Sequence, residues 1–285
     1  KVELSLTDAL FVENTLTLGQ SFLETMARDY DSGVHRADFK HAFEPARMQI
    51  NGWVAQQTHD RIQDLLPLGS LSDVTRIVLV NALYFYGSWL SPFSANATSD
   101  AAFHPLSGPD VRVKTMHRQG PLQYATGQDF ALVELPYDGD QLLMTVVLPA
   151  PGKFESVRAQ VSAAWLKLAS SSESAKTVNL ALPKWKLTTD SFSLKQGLQE
   201  LGMKSAFGGD ADLSGISQDE QLAIDDVLQK AFIAVDEAGT EAAAATAVIA
   251  VGTSAPVEVI PFTVDRPFLF FIRDTESGAV LFAGR

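Results

Sequence analysis

The chain has no cysteine. That excludes disulfides, thiolate nucleophiles and zinc sites built on thiolates. Positive charge is also scarce, with 22 basic residues against 34 acidic ones and a net charge of -12. Phosphate backbones and acidic membrane surfaces are bound by basic patches, so neither a nucleic acid nor a membrane partner is expected. No run of about 20 apolar residues is present to cross a membrane as a helix. The opening KVELSLTDALFVEN lacks the basic region and apolar run of a secretory signal. It reads like the middle of a fold, as if residues preceded it. G-x-S-x-G, H-E-x-x-H, the phosphate-binding P-loop and G-x-G-x-x-G are all missing. The five histidines, His35, His41, His59, His104 and His117, fall in no metal or nucleophile motif and read as structural or solvated. The expectation is therefore a protein that is not an enzyme and holds no cofactor or metal.

The 285 residues are 46% hydrophobic, ample for one large domain or two smaller ones. Leu4 to Val12 reads as a strand. Leu18, Phe22, Met26 and Tyr30 recur at helical spacing, and a second amphipathic helix is expected from Pro45 to Gln57, with Pro45 in its first turn. Val74 to Tyr86, VTRIVLVNALYFY, is apolar almost throughout, as a strand covered on both faces would be. Asn81 lies in its middle and its amide must find partners. The runs VRVKTMH, LQYAT, FALVELPY and QLLMTVVLP follow, set apart by Gly, Asp and Pro as in an antiparallel meander. SVRAQVSAAWLKLASS reads as one helical segment, TVNLALPKWKL alternates, and DSFSLKQGLQELGM reads as a helix capped by Asp190. The tail from Val257 is mostly strand, with a turn at Asp274 to Gly278. Asn96-Ala97-Thr98 fits a glycosylation acceptor, a triplet common by chance. No repeat or Pro-rich linker divides the chain, and a mixed α+β fold with one large and at least one smaller sheet is expected.

One stretch is ambivalent. GTEAAAATAVIAVG, Gly239 to Gly252, starts with good helix formers and ends β-branched. Read as a strand with Thr240 inward, its inward set is Thr240, Ala242, Ala244, Thr246, Val248 and Ala250, none of them charged. The single charge, Glu241, falls on the outward set. No proline would remove a ladder donor. The stretch is thus acceptable both as a soluble loop and as a buried strand, and as an ordinary Ala-rich linker too.

Several motifs in order resemble the serpin family. FTVDRPFLFFI, Phe262 to Ile272, resembles its C-terminal signature, GTEAAAATA its reactive-loop hinge, and LVNALYFYGSW its central strand. INGWVAQQTHDRI, LPKWKL and LQKAFIAVDEAGT also fall in the expected order, so that the resemblance covers essentially all of the chain. It implies an α+β fold of three β-sheets and about nine helices in the complete protein. It implies a single domain over 1–285 that lacks the N-terminal helices and the last few C-terminal residues, with a reactive loop at about 239–257.

The resemblance also implies a suicide mechanism against serine proteases, in which the cleaved loop inserts into the large sheet, a known case of stored strain released on loop insertion. The hinge would be Gly239, Thr240, Glu241, Ala242, Ala243, Ala244, Ala245 and Thr246. Trp89, Lys184 and Glu237 would guard the loop entry point. Asn81 and Gln229 would belong to a polar cluster under the sheet, where Gln229 stands in place of the family's usual histidine and cannot titrate. Hinge spacing places the reactive bond at Thr253-Ser254, whereas a count back from Pro267 places it near Pro256-Val257. Ala250, Val251 and Ala255 are alternative cut sites. A small β-branched Thr253 suits an elastase-like or subtilisin-like protease. A monomer and, by resemblance alone, an extracellular setting are expected. The alternative is a non-inhibitory member that acts as a binding protein or chaperone.

Overall fold

The structure, a computed structural model, describes residues 2–30, 34–240 and 258–285. In chain order the elements are β1 (Val2–Glu13), α1 (Gln20–Asp29), β2 (Val34–Ala37), α2 (Phe39–Gln57), β3 (Ile77–Ser88), β4 (Ser99–Phe103), β5 (Val111–Thr126), β6 (Phe130–Pro136) and β7 (Leu142–Pro149). There follow α3 (Phe154–Arg158), α4 (Ala163–Ser170), β8 (Ser174–Pro183), β9 (Trp185–Thr188), β10 (Phe192–Ser193) and α5 (Lys195–Glu200). The last are β11 (Val227–Val235), β12 (Gly239–Thr240), β13 (Val259–Thr263), β14 (Leu269–Asp274) and β15 (Val280–Gly284). Contacts divide the chain into two compact units. Lys1–Glu3, Tyr86–Lys186 and Ala234–Arg285 form the first, and Leu4–Phe85 with Leu187–Ile233 the second.

In the second unit β3 and β11 run parallel, from Val227 opposite Leu79 to Phe232 opposite Tyr84. Ile77, Val78, Val80, Ala82, Leu83, Tyr84 and Phe85 are all buried, so β3 is covered on both faces and its unbroken apolar run follows. β1 lies parallel to β2, with Leu10 opposite Val34 and Glu13 opposite Ala37. Leu10, Val12, Leu16, Ile77 and Leu222 form a core against which Leu18 and Phe22 pack.

The second helix starts earlier than Pro45. Asp38 caps it by accepting from the His41 N–H, and the buried Glu13 carboxylate accepts from the Phe39 and Lys40 N–H groups. Burial pushes the Glu13 carboxyl up, yet these bonds and those from Thr15 hold it below its ordinary value. The helix breaks at Ala42 (φ -145°, ψ 49°), so Pro45 does sit in the first turn of the segment that follows. Asp190 caps no helix. α5 begins only at Lys195, whose N–H bonds the Ser193 hydroxyl.

The first unit holds an eight-stranded sheet in the order β13-β8-β5-β6-β7-β14-β15, with β4 beside β5. VRVKTMH and LQYAT are one strand, β5, that runs through Gly120 and Pro121. One edge of β5 pairs with β8 from Thr115 to Tyr124. The other pairs with β4 over Val111–Thr115 and with β6 over Gln123–Thr126. Between those partners lies the edge where a proline is tolerated. The resemblance implies three sheets; the described residues form two, because β5 joins β4, β6 and β8 in one ladder. Residues 156–171 are two helices rather than one, because the Ser162 hydroxyl accepts from the Trp165 N–H and starts α4 afresh. α3 and α4 cover Leu132, Val147, Leu269 and Phe271 through Phe154, Val157, Leu166 and Ala169. The tail turns where expected: the Asp274 carboxylate accepts from Ser277, and Gly278 takes a φ of +71°.

Candidate functional site

The site of interest in the first unit is built at Trp89 and Asp236–Thr240. Trp89, 2% exposed, bonds through its indole N–H to the Asp236 carbonyl and through its backbone N–H to the Ala238 carbonyl. The Phe93 N–H bonds the Glu237 carbonyl. Tyr137 stacks on the indole with centroids 4.6 Å apart and planes at 15°. These bonds hold the Asp236–Ala238 backbone against one rigid aromatic wall.

Glu237 is the charged member. One carboxylate oxygen accepts from the Lys184 ammonium at 2.6 Å and the other from the Thr98 hydroxyl at 2.6 Å. Burial pushes the Glu237 carboxyl up, but the bonds from Lys184 and Thr98 outweigh it and the net shift is downward. Lys184 is half-exposed while Glu237 is mostly buried, so the pair is more than a solvated surface contact.

Beyond Glu237 the chain turns sharply. Asp236 and Gly239 bond each other in both directions, and the Asp236 carboxylate accepts from the Ala238 and Gly239 N–H groups. Gly239 and Thr240 then form β12, which pairs with Val235 on one side and with Gly87 and Ser88 on the other. A Cβ on Gly239 would stand 2.0 Å from the Gly87 carbonyl oxygen, so only glycine fits there. Thr240 points inward and is wholly buried, its hydroxyl 2.9 Å from the Tyr137 hydroxyl. Burial pushes the Tyr137 phenol above the usual tyrosine range, an effect the Thr240 bond partly offsets.

In the second unit the Gln229 amide donates to the Asn81 carbonyl oxygen at 2.5 Å, and the Asn81 amide donates to Asp8 at 2.6 Å. Asn81 and Gln229 are directly opposite each other on β3 and β11. Trp89, Lys184 and Glu237 are thus brought together, as are Asn81 and Gln229. Glu241 to Thr246, Thr253, Ser254, Ala250, Val251 and Ala255 lie outside the described residues. Thr98, Tyr137 and Asp8 are contacts that sequence reasoning missed. Thr98 stands 139 residues from Glu237 and Tyr137 103 residues from Thr240, so no local pattern marks them.

Comparison with known proteins gives the family. The family model described as serpin (serine protease inhibitor) matches residues 1–285. An uncharacterised serpin-like protein of Thermococcus kodakarensis is 40% identical over 98% of this chain and 65% of its own length. Human leukocyte elastase inhibitor is 38% identical over 99% of this chain and 76% of its own. A crystal structure of human thyroxine-binding globulin superposes with a TM-score of 0.88 at 28% identity, covering 99% of this chain and 74% of that one. The chain therefore spans just under two thirds of the archaeal relative and about three quarters of the two human ones. The matched fold carries both a protein named for inhibiting an elastase and one named for binding thyroxine, and the family description is of inhibitors rather than catalysts. On the family match and these relatives, the chain belongs to the serpin family.

Proposed function

We propose that the chain is the larger part of an inhibitory serpin that traps a serine protease once. The observation that carries this reading is β12: Gly239 and Thr240 pair on both sides, and the Thr240 side chain is buried. A chain that continued from Thr240 in the same sense would place small, uncharged residues inward as far as Ala250. About ten added ladder bonds at roughly 1 kcal/mol each give on the order of 10 kcal/mol to drive it. Before cleavage such a protein is held kinetically. Trp89, Lys184 and Glu237 are the entry point in this reading, and Asn81 with Gln229 the polar cluster beneath the sheet.

The reactive bond in this reading is Thr253-Ser254, because the length upstream of the cut sets how far an attached protease is carried. A small β-branched Thr253 fills a shallow apolar pocket and leaves a deep acidic one empty. The target is then a protease of elastase-like or subtilisin-like specificity, a choice that the relative named leukocyte elastase inhibitor supports. The second reading is a binding protein, supported by the likeness to thyroxine-binding globulin.

The test is a denaturing gel of the full-length protein with a panel of serine proteases. A band that survives denaturant is expected, with the released peptide beginning at Ser254. Cleavage without such a band across elastase-like, subtilisin-like and chymotrypsin-like enzymes favours the second reading. A released peptide beginning at Val257 would refute the register.

A further inference from the structure

Burying a hydroxyl is unfavourable unless it finds a partner, and Thr240 is wholly buried. Its one side-chain partner among the described residues is the Tyr137 hydroxyl, at 2.9 Å. Tyr137 is itself well fixed. Its ring stacks on Trp89, its backbone forms a bridge with Trp89, and its N–H bonds the Leu142 carbonyl. The next residue, Asp138, bonds the Ser88 carbonyl through its N–H. Ser88 and Gly87 are the residues that pair with Gly239 and Thr240. The same short segment of β3 therefore holds both the phenol and the two-residue strand. The Thr240 hydroxyl thus meets a partner that is fixed by contacts of its own.

We infer that Tyr137 is a positioning residue whose hydroxyl receives the Thr240 side chain and keeps Gly239 and Thr240 in the ladder. Its importance for protease trapping rests on the proposed function; the positioning does not. Removing the phenol oxygen leaves the Thr240 hydroxyl buried with no side-chain partner, and the short strand is then favoured less over an outward position. Removing the hydroxyl from both residues leaves no orphaned hydroxyl at position 240, and the strand is favoured again. A residue that acted only as packing would give no such recovery, because Tyr137→Phe keeps the ring and its stack on Trp89.

Hydrogen exchange on the full chain decides it, read on the peptide that spans Val235 to Thr240 with β14 amides as the reference for global opening. Tyr137→Phe should speed exchange of this segment by about tenfold with β14 unchanged. The double variant Tyr137→Phe, Thr240→Val should return to within about threefold of the parent. Unchanged exchange in Tyr137→Phe overturns the inference, as does a double variant at least as fast as the two single changes combined. Trapping is read separately, as moles of chain consumed per mole of protease. A several-fold rise in Tyr137→Phe that the double variant reverses supports the role in trapping, and an unchanged value overturns it. A parent chain that forms no covalent complex would sink the proposed function and leave the exchange result standing.

Discussion

Glu134, buried, and Glu237, mostly buried, are carboxylates of the first unit, each paired with a cation, and they differ in what else crowds the pair. Glu237 meets one ammonium, from Lys184, and one hydroxyl, from Thr98. Glu134 meets the Arg273 guanidinium and the hydroxyls of Thr145 and Ser170, and Arg273 bonds both of those hydroxyls as well. A second carboxyl, Glu173, also borders that site. Its burial, then its hydrogen bond with Glu134 and the charge there, push it up to about 8. One carboxylate per cation gives a group held below its ordinary value. Two carboxyls per cation leave the second holding its proton at neutral pH. The same side chain thus responds to pH in opposite senses in two places.

Four experiments break or sharpen this contrast. The largest effect should come from burying a cation that has no carboxylate to meet it. Thr240→Arg puts an unmatched charge at a wholly buried position, which disfavours the inward strand by up to about 5 kcal/mol. On the proposed function the variant is cleaved without trapping, and trapping at unchanged stoichiometry would refute that. Next is the removal of a cation. Arg273→Met leaves Glu134 buried without its counter-charge and should lower stability by about 3–4 kcal/mol in urea unfolding, whereas a loss below about 1 kcal/mol would mean that the hydroxyls suffice. Lys184→Met is milder, because the lysine is half-exposed. About 1 kcal/mol is expected, and a loss as large as that of Arg273→Met would erase the distinction between the sites.

The last test is Glu173→Gln, whose signature is the pH profile rather than a change at one pH. Because the folded value of Glu173 is raised, its contribution is fully present below 4.5 and is lost as pH rises through about 8. The parent should lose stability over that window, and Glu173→Gln should lose less. Glu237 is lowered, so its contribution is present above 4.5 and is lost as pH falls through the folded value. Thermal melts from pH 3 to 9 test both senses. Profiles of parent and variant that run parallel between pH 5 and 8 would contradict the role given to Glu173.

What was legible in the sequence is what local chemistry decides. β3 showed as an unbroken apolar run because both its faces are buried, and the turn at Asp274–Gly278 showed because Asp and Gly are the residues such a turn requires. The errors fell where tertiary contacts override local signals. Pro45 suggested a helix start, but Asp38 and Glu13 together initiate a turn ahead of it. Gly120 and Pro121 looked like a break, yet β8 pairs along the whole stretch and holds it extended. Ser162 could have been read as a cap and was not. At the site, Trp89, Lys184 and Glu237 were legible through family resemblance alone, because residues that far apart in sequence carry no spacing pattern. Thr98 and Tyr137 were not legible at all, since a lone hydroxyl acquires meaning only from the partner that folding brings to it.

Gly239, pinned against the Gly87 carbonyl, has a kinetic consequence. The slow step in adding a strand to a sheet is the first pairing, which must close a loop before any contact offsets the lost freedom. Here two residues are already in register on both sides, so on the proposed function that entropy is spent before a protease arrives. On that reading a strand growing from Thr240 would elongate from an ordered end, one residue at a time, at a rate governed by how readily the neighbouring strands part rather than by how often the chain finds them.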